Sequence, residues 1–324
     1  MISSAKFIPA NRNTVVYSSE MSTLSNIEKQ NGITRIYNNK LRLLAFEMNF
    51  LNTQVNVLPN KRPIVVYIGY CPGEQITKLV KLYEFIDFHL FDDMEPSAEI
   101  TAFAAGNDII TLYDHYPTVD EIASFREQHN NVYLISNYTD NEVRLNANVT
   151  DQTAKQKHEM HLVKEQKNIT DSEINMQYAK QFNAKCSLLK FRPPHVHQED
   201  RVKVCDFSFF KGKILLPLFS GPKSSECRMI VANYDEIFKW DYRIVTFTIN
   251  NWNFKIRESS ALNPFTGMHN PLGNQLGNQF EICVFFSILR DYFMCIGNEN
   301  PAEMDVYSLY SQFIIGKIDN ADRC

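Results

Sequence analysis

The sequence predicts an α/β fold with a mostly parallel central sheet and helices on both faces. Three observations carry this. Short apolar runs alternate with segments of helical periodicity from residue 40 to residue 136, the pattern of strand–helix–strand units. The first run, Ile64 to Ile68, is short, apolar and β-branched, typical of a buried parallel strand. It ends in a glycine loop that leads straight into a helix.

The elements follow in order. Lys40 to Asn52, KLRLLAFEMNFLN, is a helix by pattern, because Leu41, Leu44, Ala45 and Met48 share one face. Pro63 precedes the strand Ile64-Val65-Val66-Tyr67-Ile68. The helix after the loop has Ile76, Leu79, Val80 and Tyr83 as its stripe. Phe85 to Phe91 is the second strand, closed by Asp92-Asp93. Ile109 to Tyr113 is the third strand, Val119 to Gln128 a helix, and Val132 to Ser136 the fourth strand. Residues 140–170 are charged and polar, a helical excursion or a mobile loop. Leu188 to Phe191 and Lys213 to Phe219 read as later strands, and Gln279 to Phe293 as a buried helix or strand. The organisation expected is an N-terminal arm over 1–37, one domain over 38–300 and a C-terminal tail over 301–324.

Composition excludes several classes. With 324 residues, 44% hydrophobic and 22% charged, the chain is neither disordered nor fibrous. Seven cysteines with no CxxC pair argue against a disulfide scaffold or a zinc ribbon. No apolar run is long enough to span a membrane, and the N-terminus lacks an apolar signal core. His195 and His197 resemble a metal pair, but no further ligand is evident, so no metal is expected. The net charge of −4 hides an uneven distribution. From Lys180 to Arg228, ten Lys and Arg face four acids, including Arg192, Lys203, Lys223 and Arg228. Such a segment suits a polyanion such as single-stranded RNA, or forms a solvated face.

The glycine loop, YIGYCPGE, holds two of only 11 glycines. Gly69 allows a tight turn, and Gly73 allows close approach to the backbone at a helix N-terminus. The spacing matches neither the dinucleotide fingerprint nor a P-loop. Asp92 stands at the end of the second strand, where a ribose-binding acid belongs. An adenosine ligand without a pyrophosphate fits these features, S-adenosylmethionine among them. A structural turn and a mononucleotide site remain open.

KLRLLAFEMNFLN, VVYIGYCPGEQITKL, LLKFRPP and DFSFFKGKILLPLFSGPKSSECR, with FEICVFFSILRDYF near the end, occur in a characteristic order. That order resembles the poxvirus family of cap-specific mRNA 2′-O-methyltransferases, which are also regulatory subunits of the viral poly(A) polymerase. The resemblance runs from about residue 38 to 293. It implies a Rossmann-like S-adenosylmethionine-dependent methyltransferase fold. It places Tyr67, Gly69, Pro72, Gly73 and Asp92 at the cofactor, with Met94 and Tyr116 beside them. It also implies capped mRNA and a poly(A) polymerase catalytic subunit as partners, and a cytoplasmic or virion location.

The family's catalytic tetrad is Lys-Asp-Lys-Glu. In this sequence its positions are held by Arg42, Asn137, Lys190 and Glu226. Lys190 is the base by resemblance and must be neutral at some moment to take a proton. Arg42, a permanent cation, favours that neutral form. Asn137 removes an anion that would orient the reacting groups, which suits either a slow enzyme or an RNA-binding regulatory subunit that no longer catalyses. For the cap, His195 and His197 stand where the family has an aromatic and an acid. Lys223 stands where it has an aromatic, and Asp241 is the candidate acid for the base edge.

Overall fold

A computed structural model describes residues 39–57, 61–140, 154–193, 206–219, 226–251 and 279–321. Helix α1 (Asn39–Gln54) leads into β1 (Ile64–Ile68). Then follow α2 (Glu74–Leu82), β2 (Asp87–Phe91), α3 (Ala98–Ala105), β3 (Ile110–Tyr113), α4 (Val119–Gln128) and β4 (Val132–Ser136). The long helix α5 (Ala154–Phe182) precedes β5 (Ser187–Phe191), β6 (Asp206–Phe210) and β7 (Lys213–Leu215). β8 (Cys227–Val231), β9 (Ile237–Asp241), α6 (Tyr242–Asn251), α7 (Gln279–Cys295) and α8 (Glu303–Ala321) complete the described chain.

Seven strands form one sheet in the order β3-β2-β1-β4-β5-β8-β7. β3, β2, β1, β4 and β5 are parallel. β8 runs antiparallel between β5 and β7, and β6 pairs with β9 in a separate antiparallel ribbon. The mostly parallel α/β sheet expected from the alternation is therefore present.

The side-chain period of two divides the core between the sheet's faces. Val65 and Tyr67 of β1 pack with α1, α2, α7 and α8. Ile64, Val66 and Ile68 pack on the other face with Ile122 of α4, Phe182 of α5 and the ribbon's Phe209 and Trp240. β1 is buried at every position, which explains its unbroken apolar run. Helix α4 starts at a capping box, in which Thr118 Oγ1 accepts from the Glu121 amide and Glu121 accepts from the Thr118 amide.

The polar stretch beyond residue 153 takes the helical of its two readings, as α5, held by the buried polar side chains Glu165, Asp171 and Asn175 and by Ala179 and Phe182 near its end. Two segments differ from their sequence reading. The strand read from Lys213 to Phe219 stops at Leu215, two residues before Pro217, which has no amide proton to give a ladder. Residues 303–321 form α8, whose Val306, Tyr310 and Phe313 join the core. Among the described residues, no helix is long and apolar enough to cross a membrane.

Candidate active site

Strand order reverses direction between β1 and β4, so the loops that follow these strands diverge and leave a crevice at their C-terminal ends. The glycine loop follows β1. Gly69 has φ +76, and its amide donates to the Phe91 carbonyl at 2.9 Å. A Cβ there would lie 2.8 Å from the Asn137 backbone carbon and oxygen. Glycine is needed because the loop presses against the end of β4. Gly73, at φ +79, caps α2 in the left-handed conformation.

Asp92, at the end of β2, is buried. Its Oδ2 accepts from the Cys71 amide at 2.8 Å and its Oδ1 from the Met94 amide at 3.1 Å. In this state the carboxylate shapes the glycine loop. Burial and Asp92 push the Cys71 thiol up to about 12, so it is not a nucleophile near neutrality. Pro72 is exposed on the loop and Met94 is half-buried beneath it. Tyr116 packs its ring 4.7 Å from that of Tyr138, beyond β3. Tyr67 is fully buried under the loop, and its hydroxyl points toward α1 instead of the crevice.

The tetrad positions come together in the second half of the crevice. Arg42 of α1 lies 8% exposed, with Nη2 3.4 Å from Glu226 Oε2. Arg228 of β8 lies 2% exposed; its Nη1 donates to Glu226 Oε1 at 2.8 Å and to the Cys227 carbonyl at 2.9 Å. Register places Arg228 directly opposite Lys190 of β5. Burial raises the Glu226 carboxyl, but Arg228, Arg42 and Lys190 together hold it down at about 2. Lys190 Nζ donates to Thr139 Oγ1 at 2.5 Å, and Thr139 Oγ1 donates to the Asn137 carbonyl at 3.2 Å. Burial lowers the Lys190 pKa, Glu226 opposes, and Arg228 lowers it further.

Asn137 begins the loop after β4, with its amide donating to the Ile68 carbonyl at 2.9 Å. Its Nδ2 donates to the Tyr67 hydroxyl at 2.6 Å, and that hydroxyl donates to Glu47 of α1. Asn137 Oδ1 is buried with no hydrogen-bond partner among the described residues. Asn175 of α5 fixes the same loop. Its Oδ1 accepts from Ser136 Oγ at 2.5 Å and from the Tyr138 amide at 3.2 Å. Lys167 pairs with Asp140 at 2.6 Å.

Glu47, Thr139 and Asn175 were missed as site residues by sequence reasoning. The one local signal was an acid, Glu47, inside an otherwise apolar helix face. Two residues of the basic window are engaged in internal pairs. Arg228 is buried in the tetrad cluster, and Arg192 is tied to α5 by Glu165 at 2.9 Å and Asn168 at 3.1 Å. Asp241 ends β9 in the ribbon, in register with Asp206. His195, His197, Lys203 and Lys223 lie outside the described residues. Among the described residues, no group of three His, Cys, Asp or Glu could hold a metal ion.

No curated protein matches the chain significantly. A family model described as poly A polymerase regulatory subunit matches residues 11–294, most of the length and every strand of the crevice. The chain belongs to the poly(A) polymerase regulatory subunit family.

Proposed function

We propose that this chain is an RNA-binding regulatory subunit that associates with a poly(A) polymerase catalytic subunit. The observation that carries this reading is the family match over residues 11–294. The test is co-expression with a poly(A) polymerase catalytic subunit from the same source. The expected result is a stable complex on gel filtration and longer poly(A) tails on an RNA primer. Separate elution with unchanged tail length would overturn it.

RNA affinity is expected to depend on salt, with a log–log slope of about 0.7 per phosphate contact on a single strand. Lys203→Glu is expected to weaken binding to all sequences about equally. Charge reversal at Arg192 is a poorer probe, because it also breaks the ion pair with Glu165. Affinity indifferent to salt would leave the basic window a solvated face.

A second reading, cap-specific 2′-O-methyltransfer in a methyltransferase-type Rossmann fold, is favoured by one observation. Lys190 sits at the end of a parallel strand in a cluster with Arg42, Arg228 and Glu226, where positive charge exceeds negative and burial favours its neutral form. Labelled methyl transfer to capped RNA is the measurement. Lys190→Ala is expected to abolish it, and Asn137→Asp to raise it about tenfold or more by restoring an oriented anion. Equal rates in the parent and Lys190→Ala would remove Lys190 from the chemistry.

The residues present fit S-adenosylmethionine as the cofactor. Gly69 and Gly73 hold the left-handed turns of the loop, and among the described residues Asn137 Oδ1 is a buried acceptor that still lacks a donor. The cofactor would supply the methyl group. Gly69, Gly73 and Asp92 would hold it, and Lys190 would take the ribose proton. Asp92→Ala is expected to lower affinity by about 1.5–3 kcal/mol per lost hydrogen bond, read by calorimetry. An unchanged affinity would place the cofactor elsewhere.

A further inference from the structure

Tyr67 has one hydroxyl proton and two polar neighbours, the buried Glu47 on α1 and the half-buried Asn137 after β4. Glu47 is 1% exposed and Tyr67 fully buried, so neither group is open to bulk solvent. If Glu47 is ionised, it can only accept, and the Tyr67 proton must point to it. The Tyr67 oxygen is then purely an acceptor toward Asn137. The Asn137 amide must turn its NH2 inward and keep its carbonyl Oδ1 away from Tyr67.

If Glu47 carries a proton, the chain can reverse. Among the described residues Glu47 Oε2 has no partner, so the acid is best satisfied by donating from Oε1 to Tyr67. Tyr67 then donates onward, and Asn137 must offer it the carbonyl. The amide flips, and an NH2 replaces the carbonyl at the far end.

We infer that Glu47 is a positioning residue: through Tyr67 its charge sets whether Asn137 offers a ligand an acceptor or a donor. For its ligand arm, this inference rests on the nucleoside-cofactor reading of the crevice. The orphaned Asn137 Oδ1 is the end at stake, and the ligand group it would take is a hydrogen-bond donor such as an ammonium. The ionisable and charged groups facing Glu47 are Tyr67 from β1 and Arg228 from β8. Burial pushes the Glu47 carboxyl up to about 7, and its hydrogen bond with Tyr67 and the charge of Arg228 hold it from rising further. Both states are therefore within reach near neutral pH. The acceptor state belongs to the higher pH.

The test follows the Asn137 side-chain amide by NMR in the full chain labelled with 15N-asparagine. Asn137→Ala identifies the resonance. Between pH 5.5 and 8.5 the parent's resonance is expected to shift with one midpoint close to neutrality. In Glu47→Gln it is expected to stay put. Tyr67→Phe, which keeps the buried ring, is expected to uncouple Asn137 in the same way. A resonance indifferent to pH in the parent, or one that still titrates in Glu47→Gln, would overturn the inference. In parallel, calorimetry measures affinity for S-adenosylhomocysteine. The parent is expected to bind about tenfold more weakly at pH 6 than at pH 8, the equivalent of one hydrogen bond, whereas Glu47→Gln is flat. If the parent binds nothing while its amide titrates as stated, the nucleoside reading fails and the relay stands. If it binds with pH-independent affinity and a static amide, the relay fails and the nucleoside reading stands.

Discussion

Gly69→Ala is expected to destabilise the fold by at least about 2 kcal/mol and to dismantle the crevice. The left-handed conformation alone costs a non-glycine residue about 1–2 kcal/mol. The added Cβ would also lie 2.8 Å from Asn137 backbone atoms and 2.9 Å from the Tyr138 amide nitrogen, none of which can rotate away. Relief requires the loop after β4 to move, taking Asn137 and Thr139 with it. Gly73→Ala is the control, since its nearest contact is a Tyr70 side-chain carbon at 3.1 Å, which can yield. Denaturant unfolding of the two variants should rank Gly69→Ala well below Gly73→Ala. Equal stabilities would mean that the loop does not bear on β4 as described.

The second large effect is at Glu226. Glu226→Gln removes the anion that Arg42 and Arg228 share, both of them buried. Breaking a buried pair from one side costs about 3–5 kcal/mol, and the partly exposed Glu226 side chain points to the lower end. The pH dependence follows from sign. The Glu226 pKa is about 2 in the fold, against an ordinary 4.5. Its contribution is complete above pH 4.5 and is lost as pH falls toward 2. Glu226→Gln should therefore be less stable than the parent at neutral pH, with the difference closing in acid. Glu47 has the opposite sign. Its folded pKa of about 7 lies above 4.5, so its contribution is full below pH 4.5 and is lost as pH rises through 7. Glu47→Gln should accordingly gain on the parent between those limits. A parent and a Glu226→Gln variant with parallel acid limbs would refute the charge assignment at Glu226.

The strands β1 to β4 and the helices α1, α2 and α4 were legible because each declares itself locally, through an apolar run or stripe bounded by Pro, Gly or a capping box. Helix α3 was not, since Ile100 is its one buried residue. Helix α5 was read only as one of two alternatives, because polar residues anchor it and their partners lie on the loop after β4. The same limit governs the site. Gly69, Gly73 and Asp92 are read from one strand–loop–helix corner. Arg228 reads as surface charge until Glu226 and Phe46 are seen around it, with Phe46 5.6 Å from its guanidinium. Glu47 and Asn137 lie far apart in sequence, and only the buried Tyr67 joins them.

The placement of Glu226 also sets an order of events during synthesis. It lies 184 residues after Arg42, the cation it neutralises. At about 5–20 residues per second, a ribosome needs roughly 10–40 s to cover that interval. In its second half the nascent β1–β4 core can assemble, because its parallel pairings are complete by residue 136. β5 then waits with a bare edge until β8 emerges beside it. During that wait neither Glu226 nor Arg228 has been made, so this end of the crevice is incomplete. The crevice therefore closes last, and the antiparallel strand that carries Arg228 behind Glu226 is the piece that locks it.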